Sequence, residues 1–189
     1  MRRLIIVGAG GHGRSVAEAA LASGAFEITG FLDDTFPDLT HVWDFPVLGS
    51  VADIHRFHDS ADGWIVAIGN NRLREELCRQ LLASGLDLAT VVHPKALVSP
   101  RATIGKGSAI MMGAIVGTEA QLGVGSIVNC GAVADHHCRV EDFGHLGVNA
   151  AMAGSSILGY GSWMQAGAAL GYGVTIGQWR VLAPGEAVN

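Results

Sequence analysis

From Val98 onward, every sixth residue of the chain is large and apolar: Val98, Ile104, Ile110, Val116, Leu122, Val128, Ala134, Val140, Leu146, Met152, Leu158, Met164, Leu170, Ile176, Leu182 and Val188, with only Ala134 small. The residue four further on is small almost throughout (Ala102, Ser108, Ala114, Ala120, Ser126, Ala132, Cys138, Gly144, Ala150, Ser156, Ser162, Ala168). Gly follows the apolar residue at Gly105, Gly117, Gly123, Gly147, Gly159, Gly171 and Gly177. A period of six is neither the 3.6 of a helix nor the two of a simple strand. It predicts a β-helix in which each hexapeptide makes one short flat wall and one turn. The large aliphatics then stack inside the prism, and the small residues fit where walls meet. Gly takes the turn conformations that other residues avoid. Three walls per coil give about five coils, with no room for a long inserted loop. A sandwich of alternating strands does not predict an unbroken register of this kind.

The first half alternates strand and helix signals instead. Leu4–Val7 runs into Gly8-Ala9-Gly10-Gly11-His12-Gly13, and Arg14 to Ser23 has helical spacing that Gly24 stops. Phe26 to Leu32 reads as a second strand ending at Asp33-Asp34, followed by a loop carrying Pro37 and Pro46. Gly49 to Ile54 opens a short helix, and Trp64 to Ile68 is a third strand bounded by Gly69-Asn70-Asn71. Arg72 to Ala83 is a helix with Leu73, Leu77 and Leu81 on its apolar stripe. Strands and helices in alternation with short links predict a parallel sheet, hence an α/β unit. The expected division is residues 1–93 for this Rossmann-like unit and 94–189 for the prism.

Composition narrows the function. Gly supplies 27 of 189 residues, about twice the average share of roughly 7%, which suits turns rather than helices. Charged residues are only 15% and hydrophobic ones 49%, which excludes disorder. The net charge of −5 argues against a nucleic-acid partner, because phosphate binding needs a basic surface. No apolar run approaches the length of a membrane span. Met1 to Val7 is too short for a signal peptide and leads straight into a Gly-rich turn. Cys78, Cys130 and Cys138 are odd in number and lack CxxC spacing. That suits a reducing cytoplasm and argues against a disulfide framework or a zinc knuckle.

Gly8, Gly10 and Gly13 satisfy G-x-G-x-x-G between a strand and a helix, with Asp33 about 20 residues on. The physics is generic, since open amides at a helix N-terminus bind phosphate oxygens of any nucleotide. The half is short for a full dinucleotide fold, and no dehydrogenase domain follows it. His136, His137 and His145 lie close in sequence and raise zinc as an option. Zinc needs converging ligands, whereas adjacent histidines on an extended wall point apart. No metal is therefore expected.

A Rossmann-like half, the His93-Pro94 junction and hexapeptide repeats containing Asp135-His136-His137-Cys138 together resemble one group. This is the bacterial sugar O- and N-acetyltransferases, typified by the sialic acid O-acetyltransferase and the nucleotide-4-amino-sugar N-acetyltransferases. The stretches Val7–Gly13, Phe31–Asp34, Ala67–Asn71 and Asn129–His136 carry the likeness over nearly the whole chain. It implies a left-handed parallel β-helix and acetyl-CoA as co-substrate. It also implies a homotrimer with active sites between subunits and a nucleotide-linked 4-amino-6-deoxy sugar as acceptor. The resemblance places the catalytic base at His136, with direct attack of the sugar amine on the thioester. It places the nucleotide sugar on Gly10, Gly11, His12, Gly13, Asp33, Asp34, Gly69 and Asn70. Acetyl-CoA is expected near His145 and Gly154. Read from the residues alone, His12 is also a plausible exposed loop residue, Asp33 and Asp34 a loop end, His145 an outward turn residue, and Cys138 a small core residue.

Two departures stand out. The residue after the catalytic His is usually acidic and orients the imidazole, but here it is His137. Asp135 or a backbone carbonyl is the expected substitute. Family members usually continue with further coils and a Gly-x-Pro-Ala tail that helps hold coenzyme A. Here Arg180 and Glu186 are expected to terminate the prism and cover its end. O-acetylation of a sialic-acid-type hydroxyl, or a catalytically weak nucleotide-sugar-binding trimer, are the alternative functions. Apolar outer residues at Met111, Met112 and Trp163 are expected to lie between subunits.

Overall fold

The computed structural model describes all 189 residues. The first half comprises β1 (Arg2–Val7), α1 (Gly11–Ser23), β2 (Phe26–Leu32), β3 (His41–Val42), β4 (Phe45–Gly49), a 3-10 segment (Val51–Ser60), β5 (Gly63–Val66) and α2 (Asn71–Ala83). Its sheet runs β3-β4-β2-β1-β5. All pairings are parallel except the antiparallel β3–β4 edge. β1 is central, with β2 and β5 on either side, so the carboxyl ends of these three strands open at a switch point where α/β sheets bind ligands.

The segment read as a loop with Pro37 and Pro46 contains the β3–β4 hairpin. Strands this short, one of them carrying a Pro, leave no alternation to read. α2 also departs from its expected stripe. Leu73 is exposed, while Arg74 is completely buried beside Leu77, Cys78 and Leu81.

The second half is a triangular prism of seventeen two-residue strands, from β6 (Val91–Val92) to β22 (Ala187–Val188). They form three parallel sheets of six, five and six strands. Thr103 pairs with Gln121 and Gln121 with Arg139, so each coil takes 18 residues. The every-sixth apolar residues make the interior, and most are fully buried with Ala114, Ala120, Ala132, Cys138, Ala150 and Ala168 between them. Burying each large aliphatic contributes roughly 1.5–3 kcal/mol, repeated coil after coil. The register continues through Val188. Arg180 and Glu186 rim the final coil and leave its interior residues Ile176 and Val188 only half-buried.

The glycines divide their work differently from the sequence expectation. The left-handed corner is not the residue after the apolar one but the residue three after it. Gly107, Gly113, Gly125, Gly131, Gly161, Gly167, Gly173 and Gly185 sit there with positive φ, as do the non-glycines Glu119, His137, Phe143, Asn149, Ser155 and Trp179. The glycines directly after the apolar residue are needed for close approach instead. A Cβ on Gly147 would lie 2.7 Å from the Met164 carbonyl oxygen and 3.0 Å from the Gln165 carbonyl carbon, both backbone. Gly147→Ala is therefore expected to lower the urea midpoint by an amount equal to about 1–3 kcal/mol. An unchanged midpoint would mean that coils slide apart at no cost.

The three walls differ on their outer faces. The wall carrying Val91, Ala109, Ile127 and His145 is covered by the first half of the same chain. The wall carrying Thr103, Gln121, Arg139 and Thr175 is polar except for the half-buried Ile157. The wall carrying Leu97, Ile115, Val133, Ala151, Ala169 and Ala187 is apolar and uncovered, with Leu97 67% exposed. Met111 is buried against the first half and Trp163 packs on His145. Of the three outer residues expected between subunits, only Met112 is freely exposed, joined by Val148 two coils along the same corner.

Candidate active site

The expected nucleotide residues gather at the switch point. Gly8, Gly10, Gly11, His12, Asp33, Asp34, Ile68 and Gly69 line one cleft of about 370 Å³. Gly10 caps α1 in extended conformation without a side-chain cap, which leaves first-turn amides open toward the cleft. Gly13 lies behind it and packs against the Gly8 carbonyl so closely that no side chain fits. Asp33 is partly committed to the backbone. Its Oδ2 accepts from the Ala9 amide at 2.7 Å, and its Oδ1 accepts from the Thr35 amide and hydroxyl at 2.9 and 2.6 Å. Burial pushes its pKa up, but the hydrogen bonds from Thr35 and Ala9 outweigh that and hold the carboxyl below its usual value. Asp34 Oδ1 accepts from the Val51 amide at 2.9 Å. Asn70 caps α2 by accepting from the Arg72 and Leu73 amides. It faces a neighbouring hollow with Trp163 and Trp179 rather than the main cleft.

His12 and His145, far apart in sequence, are both buried at the seam between the two halves, where both feel the charge of Arg74. His145 is a wall residue, not a turn residue. It is 6% exposed and stacks on Trp163 at 5.4 Å and 15°. Neither of its ring nitrogens has a hydrogen-bond partner, and His12 Nε2 is likewise buried and unpaired. Burial, then the charge of Arg74, then His12, push the His145 pKa down to about 3, with the Gly69 carbonyl opposing weakly. Burial and Arg74 lower His12 to about 4.

Arg74 gave no signal in sequence, yet it organises this seam. Its guanidinium donates to the carbonyls of Gly125 (2.8 Å), Ile68 (2.9 Å) and Phe143 (2.9 Å) and to Asn71 Oδ1 (2.9 Å). Asn71 in turn donates to the Gly161 carbonyl at 2.9 Å. Gly125, Phe143 and Gly161 are the same left-handed corner in three successive coils. Trp179, the fourth, lies under the Arg72 guanidinium at 4.0 Å. Trp179 thus fastens α2 to the prism.

His136 lies at a different corner, between the apolar and polar walls. His136 and His137 occupy a turn, not an extended wall, so they do not point apart. Their Nδ1 atoms approach to 3.0 Å, with the rings edge-to-face. Asp135 Oδ1 accepts from the His136 backbone amide at 2.7 Å, while its Oδ2 is 3.8 Å from His136 Nε2, beyond a hydrogen bond. Asp135 therefore shapes the turn and does not hold the ring. Gly154 is one coil beyond His136 in the same column. A Cβ there would stand 2.5 Å from His136 Nε2, so the glycine makes room for the imidazole. Cys138 is buried, with its Sγ near the Ala153 carbonyl (3.2 Å), and burial raises its pKa. It serves as a small core residue.

A family model described as the PglD N-terminal domain matches residues 3–81. The chain is 33% identical over 113 residues to the UDP-N-acetylbacillosamine N-acetyltransferase of Bacillus subtilis (strain 168), covering 59% of this chain and 52% of that protein. It spans about half the length of the curated relatives it matches. The acetyltransferase domain of PglB from Neisseria gonorrhoeae FA1090, solved in complex with acetyl coenzyme A, is 37% identical with a TM-score of 0.92. That match covers 97% of this chain and 89% of the other. PerB from Caulobacter crescentus, solved in complex with CoA and GDP-perosamine, is 34% identical with a TM-score of 0.93, over 98% of this chain and 88% of its own.

Proposed function

The chain belongs to the nucleotide-amino-sugar N-acetyltransferases of the hexapeptide-repeat family, and on that premise we propose that it transfers acetyl from acetyl-CoA to the amino group of a nucleotide-linked 4-amino-6-deoxy sugar. The single observation that carries this reading is the pairing of a switch-point cleft with an open imidazole at His136. The cleft takes the diphosphate on the amides of Gly10, Gly11 and His12. His136 Nε2 removes the proton that the amine sheds as the tetrahedral centre forms, with direct attack on the thioester. An imidazole nitrogen can take a proton and hand it on, which suits that step.

The active unit is a homotrimer. Within one chain no hydrogen bond or ring contact links His136 to the cleft, because the first half clamps one corner of the prism and His136 occupies another. The uncovered apolar wall flanks the His136 corner, and packing it against a neighbour would bring that neighbour's cleft toward His136. Apolar surface of this extent marks an interface. A reducing compartment, the cytoplasm, suits the three unpaired cysteines. No helix is long and apolar enough to cross a membrane.

The test is thiol release from acetyl-CoA with UDP- and GDP-linked 4-amino-6-deoxy sugars offered in parallel, alongside sedimentation. Turnover with one carrier by a particle of three chains is expected. A monomer of about 20 kDa, or sugar-nucleotide binding without turnover, would overturn the reading.

A further inference from the structure

The structure assigns Glu119 as a positioning residue that sets the tautomer of His136 through His137, an inference that rests on the acetyl-transfer reading above. The prism's own register creates the arrangement. Glu119 and His137 hold the same corner position in successive coils, both with left-handed backbone (φ 60° and 58°), and the His137 amide bonds the Thr118 carbonyl between them at 2.9 Å. Their side chains meet, with His137 Nε2 3.0 Å from Glu119 Oε2. On its other side, His137 Nδ1 faces His136 Nδ1 at 3.0 Å.

Only one of two facing Nδ1 atoms carries the proton between them. A carboxylate accepts and never donates, so Glu119 draws the His137 proton onto Nε2. Neutral His137 then has a lone pair on Nδ1 and must accept, which fixes the proton of His136 on Nδ1 and leaves His136 Nε2 as a lone pair. Without Glu119, His137 is free to donate from Nδ1, and His136 Nε2 would then carry a proton and could not act as a base.

During transfer the amine nitrogen forms the N–C bond and its proton passes to His136 Nε2. The C–S bond breaks with its electron pair on the coenzyme A sulfur, which takes that proton back. While His136 is protonated, its charge is stabilised along the chain to Glu119. A His–His–Glu relay thus does the work of a carboxylate placed directly beside the base.

Two readouts test it. In 15N spectra of the imidazoles at about pH 8, wild type should show His136 protonated on Nδ1 and His137 on Nε2. Glu119→Gly, which suits the left-handed corner, should lose that preference. In turnover, Glu119→Gln should lower kcat about tenfold or more with the KM for acetyl-CoA unchanged, and move the acid limb of the kcat profile to lower pH. His137→Glu in the Glu119→Gln background should recover kcat, because it restores a carboxylate next to His136. Identical tautomers in wild type and Glu119→Gly would overturn the relay, as would wild-type kcat and pH profile in both Glu119 variants. A wild type that does not turn over, with tautomers that follow Glu119, would end the acetyl-transfer reading and leave the relay standing.

Discussion

His136→Ala is expected to lower kcat by roughly 10²- to 10⁴-fold, the usual worth of a positioned general base, with sugar-nucleotide affinity unchanged. The side chain is 44% exposed on a turn and belongs to no core cluster, so the variant should fold as wild type does. Its removal leaves the cleft untouched, since none of the cleft-lining residues contacts it. Gly154→Ala supplies a second arm that keeps the imidazole. A methyl 2.5 Å from His136 Nε2 must displace the ring. Because that ring is a mobile side chain and not backbone, stability should hardly change while kcat falls substantially. Retention of more than about a tenth of wild-type kcat in His136→Ala would remove His136 from the role of base. Full activity in Gly154→Ala would show instead that the ring position in the free protein is not the one used in turnover.

The prism was legible from one periodicity, down to which residue of each hexad faces inward. What the period could not show was the second glycine-demanding position. From Gly107 onward six of the corner residues are not Gly, so the composition at that register looks mixed, although the backbone there is left-handed at every one. The Glu119–His137 pair was within reach of the sequence, because 18 residues, three hexads, separate them. Finding it required treating the coil rather than the hexad as the unit. Arg74 was not within reach. A helical stripe is read from hydrophobicity, and a guanidinium that is buried because four acceptors surround it looks like any surface cation in one dimension. The burial of His12 and His145 was hidden for the same reason, since both lie near an Arg74 that is itself buried only once α2 has docked on the prism corner. The gathering of the Gly-rich loop, Asp33, Asp34 and Gly69 into one cleft was legible because its parts are local: each lies at the end of a short apolar run, and parallel strands bring such ends together.

Stability is expected to fall steeply as pH drops from about 6.5 toward 4.5, ahead of any general acid denaturation. His12 and His145 are held neutral in the folded chain, with pKa values lowered to about 4 and about 3 by burial first and by Arg74 second. In the unfolded chain both titrate near 6.5. Between these values the unfolded state binds more protons than the folded one, so folding free energy falls with pH. The loss is about 1.4 kcal/mol per pH unit for each histidine, on the order of 5 kcal/mol by pH 4.5, a large part of a domain's typical margin. Carboxylates held low, such as Asp33, act in a lower window, below about pH 4. His145→Phe separates the two effects. Neither ring nitrogen of His145 has a partner in hydrogen-bond geometry and only the Gly69 carbonyl is near, so the exchange gives up little polar pairing, and Phe retains the stack on Trp163. The variant should match or exceed wild-type stability at pH 7 and show about half the slope between pH 6.5 and 4.5 in urea titrations. A wild-type midpoint that is flat over that range would mean the seam admits protons, and hence water, in the folded state. An unpartnered imidazole in a dry seam normally costs about 1–3 kcal/mol. His145→Phe removes that cost, which is why its stability at pH 7 should match or exceed that of wild type even though the charge-dependent slope is halved.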